Sequence, residues 1–343
     1  MFSKIFLYKD NLIHNIDYIK SVAKKPICAM VKANAYGHGE KEVLSMIDGR
    51  VEYFGVACQN EGLRGRRYTN GNIIVFGKCE NYSQCMRHDV SFALFSFDDA
   101  KKIVKEAKKS CLFPRFHLCV NSGMNRYGFK LKDEILKTID FLGENEIPLE
   151  GFYTHFSSLT SDESYTQKQK EKFYEMKQLL PKSWNTITHI GGGKTIYRDF
   201  DVDMYITGIE CYGYGNENVL PVLEVESQIV DIQKVNEGEH VGYLCGFTAQ
   251  KDMIVATIPL GYADGLPRKL SNKFQVKING EMANSTGNVC MDAFMVDVTN
   301  IKCKIGDRVK VLTNASLLAP IIETTEYETL TNLTKMRAKR III

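Results

Sequence analysis

The feature that most constrains the fold is a regular alternation of short apolar runs with charged, helix-like segments from residue 9 to about residue 220. Helical periodicity is clearest at Asp98–Lys109, Lys132–Glu144 and Thr166–Leu180, and the first of these opens on two acidic residues, as a helix N-terminus favours. Eight strand–helix alternations predict a closed (α/β)8 barrel of the TIM type. The predicted barrel strands are Ile27–Lys32, Tyr53–Ala57, Asn72–Phe76, Phe92–Phe95, Phe116–Val120, Glu150–His155, Thr186–Ile190 and Asp203–Gly208.

After Pro221 the pattern changes to clustered β-formers separated by turns such as Asn279-Gly280 and Gly306-Asp307. Helical patterns are scarce there. We therefore predict a barrel over residues 9–220 and a mostly β C-terminal domain over residues 221–343, which a short strand within residues 1–8 joins. The predicted strands of this second domain are Val222–Val235, Asp252–Pro259, Phe274–Ile278, Ala293–Val298 and Arg308–Leu312.

The composition is that of an ordinary globular protein and excludes several classes of function. A net charge of +3 over 343 residues gives no reason to expect nucleic acid or an anionic membrane as a partner. No apolar run is long enough to span a bilayer, and the first residues do not have the pattern of a signal peptide. Ten cysteines at irregular spacing favour reduced, buried thiols over a disulfide framework or a zinc site. We therefore expect a cytoplasmic protein without a bound metal.

Candidate functional residues fall at the C-terminal ends of the predicted strands, where barrel enzymes build their sites. Lys32 ends the first strand, Arg126 follows the fifth, and His155 ends the sixth. Considered one at a time, each has an ordinary structural interpretation: Lys32 as a lysine that ends a strand, Arg126 as a solvated charge in a loop, and His155 as a histidine of the core. Gly191–Gly193 and Gly208-Ile209 follow the seventh and eighth strands, where barrels often bind phosphate through backbone N–H groups. Together, an amine beside a phosphate site predicts pyridoxal 5′-phosphate bound as a Schiff base.

Further motifs lie in order along the chain, and from spacing alone those of the second domain fit plain turns. The motifs are Val31–Gly39, Gly123–Phe129, Thr154–Phe156, Gly208–Gly213, Val241–Tyr243, Pro259–Gly265 and Cys290–Asp292. Together, from residue 31 to about residue 327, they resemble those of the alanine racemase family. The resemblance implies a barrel with a C-terminal β domain, pyridoxal phosphate as cofactor, a homodimer with shared active sites, and a role in D-alanine biosynthesis.

The resemblance also implies roles for individual residues. Lys32 matches the lysine that holds the cofactor and acts as base on one face of the substrate. Tyr243 matches the base on the opposite face, which in the family comes from the other subunit. Substrate contacts match Arg126, the backbone of Met291, and Tyr262 in the access channel. The other matches concern the cofactor. The positions that contact its phosphate are Tyr36, Gly208, Ile209 and Tyr327. Arg126 matches the arginine at its phenolic oxygen, and His155 and His189 match histidines near the ring and the catalytic tyrosine.

Four residues at three places in the chain depart from the family pattern. Cys119 stands where the family commonly has a carbamylated lysine that supports the arginine, so Arg126 needs another partner, such as chloride or Asn121. Gly192 and Gly193 replace an Asn-Ser pair, so backbone N–H groups would substitute for the serine hydroxyl at the phosphate. Ile206 replaces the arginine that faces the pyridine nitrogen, which leaves open whether the ring nitrogen is protonated or bound to water.

The predicted activity is the interconversion of L- and D-alanine by two bases, Lys32 and Tyr243. Two bases are needed because inversion removes a proton on one face of Cα and returns it on the other. The altered pocket also permits a racemase for serine or another amino acid. Cys119 and Ile206 motivate a second alternative, a catalytically altered cofactor-binding protein. The Gly191–Gly193 loop resembles that of related decarboxylases and motivates a third, an amino-acid decarboxylase.

Overall fold

A computed structural model describes residues 2–343, with only the backbone considered at Thr334. Its contacts divide the described chain into two compact units: residues 2–13, 33–42 and 212–343 form one, and residues 14–32 and 43–211 form the other. The short stretch after Lys32 therefore belongs to the unit that contains the C-terminal half. The division after residue 220 that the sequence suggested stays a prediction.

The first strand, β1 (Lys4–Leu7), belongs to the C-terminal unit, because it pairs antiparallel with the strand Leu223–Gln228 and parallel with Lys339–Ile342. The next eight strands run parallel and close into a barrel, in which the last strand pairs with the first. The predicted (α/β)8 barrel is thereby confirmed. Its strands are β2 (Ile27–Met30), β3 (Tyr53–Val56), β4 (Asn72–Val75), β5 (Ser91–Leu94), β6 (Phe116–Val120), β7 (Gly151–His155), β8 (Ile187–Gly191) and β9 (Met204–Thr207).

Helices connect the barrel strands, and local capping explains their starts. Ser96 accepts a hydrogen bond from the Asp99 N–H and so begins Phe97–Ser110. Asp162 caps Glu163–Lys177 in the same way; the sequence had placed this helix three residues too late, because its polar first turn carries no apolar signal. The α-helices of the chain are Lys9–Ala23, Glu40–Ile47, Gln59–Gly65, Tyr82–Arg87, Phe97–Ser110, Lys132–Glu144, Glu163–Lys177, Ala315–Leu318 and Glu326–Asn332.

The C-terminal unit is mostly β, as predicted. Its strands are β10 (Leu223–Gln228), β11 (Asp231–Val235), β12 (His240–Val241), β13 (Phe247–Thr248), β14 (Met253–Ile258), β15 (Gln275–Ile278), β16 (Glu281–Asn284), β17 (Phe294–Asp297), β18 (Arg308–Leu312) and β19 (Lys339–Ile342). The six-stranded sheet has the order β16-β15-β18-β10-β1-β19, a three-stranded sheet has the order β11-β14-β17, and β12 pairs with β13. The predicted strand Val222–Val235 is two strands in different sheets, because residues 229–230 leave the strand conformation between them.

The remaining regular elements are short 3-10 helices. They lie at Lys182–Trp184, Thr195–Tyr197, Ile209–Tyr212, Tyr243–Cys245, Tyr262–Asp264, Arg268–Leu270 and Leu333–Lys335. Among residues 2–343, none of the helices combines the length and the apolar character that a membrane crossing requires. Four of the ten cysteines are buried: Cys28, Cys85, Cys119 and Cys211. The expectation of mostly buried thiols is therefore only partly met.

Candidate active site

Lys32 lies just beyond the end of β2, and a left-handed turn fixes the backbone that follows it. The Val31 N–H still bonds to the Gly55 carbonyl at 2.8 Å, so the chain leaves the barrel wall only at Lys32. Residues 33–36 then all have φ between 52° and 54°, a conformation that costs L-residues about 1–2 kcal/mol each. The Asn34 side chain accepts a hydrogen bond from the Glu40 N–H at 2.8 Å and so holds this turn. The strain is concentrated directly after the predicted catalytic lysine.

The Lys32 amine is half-buried and lies in a positively charged environment. Burial, and then the charge of Arg126, lower its pKa, while Glu61 acts in the opposite direction. Among the described residues, no group accepts a hydrogen bond from this amine or forms an ion pair with it. A lysine in such surroundings has a larger neutral fraction and is a better nucleophile than a solvated one.

His155 ends β7 and lies near the same two cations. Burial, followed by the charges of Arg126 and Lys32, lowers its pKa to about 4, so the imidazole is neutral at physiological pH. The structure therefore brings together Lys32, Arg126 and His155, which the sequence had predicted from three separate strand ends. We call these residues, with Gly191–Gly193 and Gly208-Ile209, the barrel-mouth site.

The turns that follow β8 and β9 present backbone N–H groups that have no partner among the described residues. In the described part of the chain, nothing accepts a hydrogen bond from the N–H of Gly192, Gly193, Gly208 or Ile209. Gly192 has a φ of 138°, and a Cβ there would lie 3.0 Å from the Phe156 carbonyl oxygen, whereas a Cβ at Gly193 would meet no atom within 4 Å. Unpaired N–H groups beside open space are what a phosphate or other anion requires.

The two replaced positions of the barrel are both buried. Burial raises the pKa of the Cys119 thiol to about 12, against a smaller lowering by the Tyr153 hydroxyl and by Arg126, so the thiol stays protonated and gives Arg126 no counter-charge. No acidic side chain within residues 2–343 forms an ion pair with Arg126. Ile206 lies in β9 opposite Gly191 of β8 and offers only hydrocarbon to its surroundings.

His189 is fully buried in the barrel core and belongs to a polar chain that the sequence reasoning missed. Its Nε2 lies 2.7 Å from His117 Nδ1, and its ring stacks on Tyr153 with 4.9 Å between centroids. His117 Nε2 in turn lies 3.2 Å from a carboxylate oxygen of Glu150. The signal that could have revealed this chain is a histidine inside the apolar run Phe116–Val120, followed later by a glycine at the start of β7.

Within the C-terminal unit, two of the predicted phosphate residues lie side by side. The Tyr36 ring packs against Tyr212 at 4.9 Å and against Tyr327 at 5.8 Å between centroids. The His38 ring also packs against Tyr212, with 4.5 Å between centroids. Tyr36 is buried, whereas Tyr327 is 40% exposed. The segment that follows Lys32 therefore packs, through the Tyr36 ring, against the helix that contains Tyr327.

Tyr243 projects from a constrained loop of the C-terminal unit. Its side chain is 70% exposed, and that of the neighbouring Leu244 is 83% exposed. The Tyr243 carbonyl accepts a hydrogen bond from the Asn288 side chain at 2.7 Å, and Leu244 and Cys245 have φ of 59° and 50°. The loop thus has a hydrogen-bonded backbone and presents an aromatic and an aliphatic side chain to solvent.

Tyr262 and Met291 are brought together by two turns of the same unit. The Tyr262 N–H bonds to the Cys290 carbonyl at 3.0 Å, and the Ala263 N–H bonds to the Met291 carbonyl at 3.0 Å. Gly261 is required at this crossing, because a Cβ there would lie 2.3 Å from the Met291 oxygen. The Pro259–Gly265 and Cys290–Asp292 motifs, which fit plain turns in the sequence, are therefore hydrogen-bonded to each other.

An arginine that the sequence reasoning did not select ties these turns to the end of the chain. The Arg337 guanidinium donates to both Asp264 oxygens, at 2.7 and 2.9 Å, and to Asp292 at 2.7 Å. Burial alone would raise the pKa of Asp264, but the hydrogen bonds from Arg337 and from the Gly261 N–H lower it overall. Nothing in the sequence indicated this role for Arg337, because an arginine near a C-terminus is ordinarily a solvent-exposed surface charge.

Comparison with known families accounts for nearly all of the chain. Residues 7–216 match the family model described as "Alanine racemase, N-terminal domain", and residues 222–342 match "Alanine racemase, C-terminal domain". The chain belongs to the alanine racemase family. It is accordingly an enzyme of the isomerase class. The alanine racemase of Clostridium novyi (strain NT) is 32% identical over 370 residues, with 97% of this chain and 93% of that protein covered.

Solved alanine racemase structures have the same fold. The alanine racemase of Clostridium difficile 630 superposes with a TM-score of 0.93 at 29% identity, covering 100% of this chain and 96% of that one. The Bartonella henselae alanine racemase, solved "with covalently bound pyridoxal phosphate", superposes with a TM-score of 0.88 at 25% identity, and each chain is fully covered. The predicted fold class and family are thus confirmed, and the roles of the individual site residues stay predictions. In residues 2–343, no three His, Cys, Asp or Glu side chains are grouped as a metal site would require.

Proposed function

We propose that the chain interconverts L- and D-alanine with pyridoxal 5′-phosphate held on Lys32. The observation that carries this proposal is the half-buried, unpartnered Lys32 amine beside Arg126 and a neutral His155, next to four unpaired backbone N–H groups. Relatives named alanine racemase, one of them with covalently bound pyridoxal phosphate, support it.

The residues of the barrel-mouth site fit the polar groups of this cofactor. The N–H groups of Gly192, Gly193, Gly208 and Ile209 suit a phosphate dianion, and the Tyr36 and Tyr327 hydroxyls would add further donors. Arg126 has no acidic partner in the described chain and would pair with the phenolic oxygen. Neutral His155 and His189 would lie near the ring.

The protein's own groups then supply the proton transfers. When bound, pyridoxal phosphate spreads negative charge from the substrate Cα into its ring, so that moderate bases suffice. Lys32 Nζ removes or returns a proton on one face of Cα. The Tyr243 hydroxyl does so on the opposite face, because inversion requires a donor that is not on the side of the base. The lowered pKa of Lys32 keeps part of its amine population able to accept a proton.

Substrate recognition would fall to Arg126 and to the paired turns of the C-terminal unit. The Met291 carbonyl is already used by the Ala263 N–H, so its own N–H is the group left for a substrate carboxylate. Tyr262, 42% exposed beside it, would narrow the access channel and favour a small side chain such as that of alanine.

We also propose a homodimer in which Tyr243 serves the site of the partner subunit. The exposed, backbone-anchored loop of Tyr243 and Leu244 supports this arrangement. We also predict that the protein takes part in D-alanine biosynthesis and that it is cytoplasmic.

Racemisation of alanine by the purified chain tests the activity. We expect L-alanine to yield D-alanine, together with visible absorbance from the bound cofactor. Lys32→Ala should abolish that absorbance and lower the rate by about a thousandfold or more. Lys130→Ala, which removes an exposed lysine near Arg126 in sequence, should leave both unchanged. Retention of both signals in Lys32→Ala would refute the assignment.

A panel of single amino acids tests the substrate. Exchange of solvent deuterium into Cα should be fastest for alanine. A faster exchange for serine would make the chain a serine racemase. Carbon dioxide release from ornithine, lysine or diaminopimelate would make it a decarboxylase, and cofactor binding without exchange on any amino acid would leave it a binding protein.

A further inference from the structure

Two thiols meet where the chain passes from β4 into the helix that follows it. Cys79 lies in the loop before the helix Tyr82–Arg87, and Cys85 lies within that helix. Their Sγ atoms are 3.8 Å apart. Among the described residues, these are the two cysteines whose thiols contact each other. The sequence contains no C-x-x-C motif, so this proximity is a product of the fold.

Hydrogen bonds that do not involve sulfur hold both cysteines in place. The buried Gln59 side chain accepts from the N–H groups of Glu80 and Asn81, at 3.1 and 2.9 Å. Its amide nitrogen donates to the Gln84 side chain at 2.8 Å. The Asn81 side chain accepts from the Gln84 N–H at 3.0 Å and so begins the helix. The residues that adjoin the two cysteines are thus tied to one side chain, which keeps the thiols close together.

The observed separation is short enough for a covalent bond to form without unfolding. The sulfurs of a disulfide lie about 2.05 Å apart, so the two Sγ atoms must approach each other by about 1.8 Å. Because Cys79 lies in a loop, rotation of its side chain and a small shift of its backbone can provide this approach while Cys85 stays in the helix. Disulfides of cytoplasmic proteins are ordinarily transient, so the predicted location favours a reversible bond.

The two thiols differ in their access to solvent. Cys79 is half-buried, whereas Cys85 is fully buried, so a reagent from solution meets Cys79 first. The hydrogen bond with Cys79 lowers the pKa of Cys85, in opposition to burial, because a neighbouring S–H group stabilises a negative charge on sulfur. Cys85 is therefore the better thiolate of the two, and the thiolate is the form that attacks a disulfide.

We propose that Cys79 and Cys85 are a site of reversible thiol–disulfide exchange with low-molecular-weight disulfides of the glutathione type. In the first step the Cys79 sulfur attacks the reagent, passes its proton to the Cys85 thiolate and releases one glutathione thiolate. In the second step Cys85 loses that proton to solvent, attacks Cys79 Sγ and displaces the second glutathione thiolate. Each released thiolate takes up a proton. Two cysteine thiols are thus oxidised to one disulfide, and one reagent disulfide is reduced to two thiols.

Neither step uses the cofactor or the amino-acid substrate. The exchange and the proposed racemisation can therefore be tested separately.

Peptide mapping of the full-length chain by mass spectrometry, after incubation with oxidised glutathione and quenching, tests the exchange. A thiol held beside its target has an effective concentration of about 1 mM or more, so it should compete about tenfold better than free reduced glutathione at about 0.1 mM. We therefore expect the Cys79–Cys85 disulfide to exceed the glutathione adduct of Cys79 by about tenfold or more. Dithiothreitol should return both cysteines to thiols.

Substitution of either cysteine should separate their roles. In Cys85→Ala, Cys79 should accumulate as a stable glutathione adduct, because the thiol that displaces glutathione is lost. In Cys79→Ala, Cys85 should stay unmodified, because it is fully buried. Cys58→Ala is the matched control, since Cys58 is exposed and near enough for its charge to act on Cys79. It should keep the full yield of the Cys79–Cys85 disulfide. The exposed Cys111 should carry a glutathione adduct in every variant.

Three outcomes would overturn the proposal. An unmodified Cys79 in a chain whose Cys111 carries glutathione would show that reagents do not reach the pair. A glutathione adduct on Cys79 that is as abundant in the unsubstituted chain as in Cys85→Ala would show that Cys85 does not displace it. A disulfide between Cys58 and Cys79, lost in Cys58→Ala, would assign the second step to the wrong cysteine. Each of these results leaves the proposed function intact.

Discussion

At the scale of single residues, the fold holds three histidines neutral: the buried His38 and His189, and the partly buried His155. Burial is the first cause in each case: it lowers the pKa of His38 and of His155 to about 4 and that of His189 well below its usual value. In the unfolded chain each would titrate near 6.5. Between about pH 4 and pH 6.5 the unfolded state thus binds more protons than the folded state does.

The sign of the resulting pH dependence follows directly. The free energy of unfolding should fall as the pH falls from about 6.5 toward 4, by up to about 1.4 kcal/mol per pH unit for each histidine. Urea denaturation at pH 7, 6 and 5 measures this slope. His38→Gln should make the slope shallower by up to one proton, whereas His88→Gln, at an exposed site, should not change it. Equal slopes in all three proteins would contradict the assignment of His38 as a neutral buried group.

At the scale of the element, the last residue of β8 and the loop that follows it contain glycines with different roles. A Cβ at Gly191 would lie 2.7 Å from His155 Nδ1 and 3.3 Å from Ile206 Cβ, whereas a Cβ at Gly193 would meet nothing. The first glycine thus makes room for a neighbour in the barrel, and the second lies beside the open space of the proposed phosphate site.

Alanine substitutions should separate these two roles. We expect Gly191→Ala to lower the free energy of unfolding by about 1–3 kcal/mol, because the added methyl group forces His155 or Ile206 to move. Gly193→Ala should leave stability within about 0.5 kcal/mol but weaken the binding of pyridoxal phosphate, since its methyl group enters the phosphate space. Urea denaturation without cofactor and cofactor titration measure the two effects. Loss of stability in Gly193→Ala with unchanged cofactor affinity would contradict this distinction.

The barrel was predictable at this scale because its signals are local. Each buried strand is a short apolar run, and each connecting helix has its own period, so all eight strands were located within a few residues. The sequence prediction placed the end of β2 two residues too late. Nothing in residues 33–36 indicates a left-handed turn, because Ala and Tyr rarely have a positive φ. The turn is instead held by a local contact, the hydrogen bond from the Glu40 N–H to the Asn34 side chain.

The polar interior of the site was harder to predict for a related reason. Lys32, His155 and the glycine loops lie at strand ends, where the barrel architecture itself indicates function. His117 and Glu150 lie at the beginnings of their strands, where a polar residue ordinarily contributes only to stability. Their connection to His189 depends on which rings face each other across the barrel, and that is a property of register that no single run of sequence contains.

At the scale of the whole molecule, the proposed active site needs two chains. Lys32 belongs to the barrel unit, whereas Tyr243 lies on an exposed loop of the C-terminal unit with its backbone bonded to Asn288. If Tyr243 acts on the partner's site, each site of a dimer contains one Lys32 and one Tyr243 from different chains. A variant at either position should then inactivate the homodimer, Tyr243→Phe because the hydroxyl that carries the proton is lost.

Mixed dimers of Lys32→Ala and Tyr243→Phe distinguish this arrangement from one in which both bases come from the same chain. With shared sites, each mixed dimer has one site in which both groups are altered and one in which Lys32 and Tyr243 are both intact. Random assortment makes about half of the dimers mixed, so about a quarter of all sites, and about a quarter of the unsubstituted activity, should return on co-expression. If each chain supplied both bases to its own site, every site would keep one altered group and mixing would restore nothing, because no exchange of subunits can then reunite an intact lysine with an intact tyrosine.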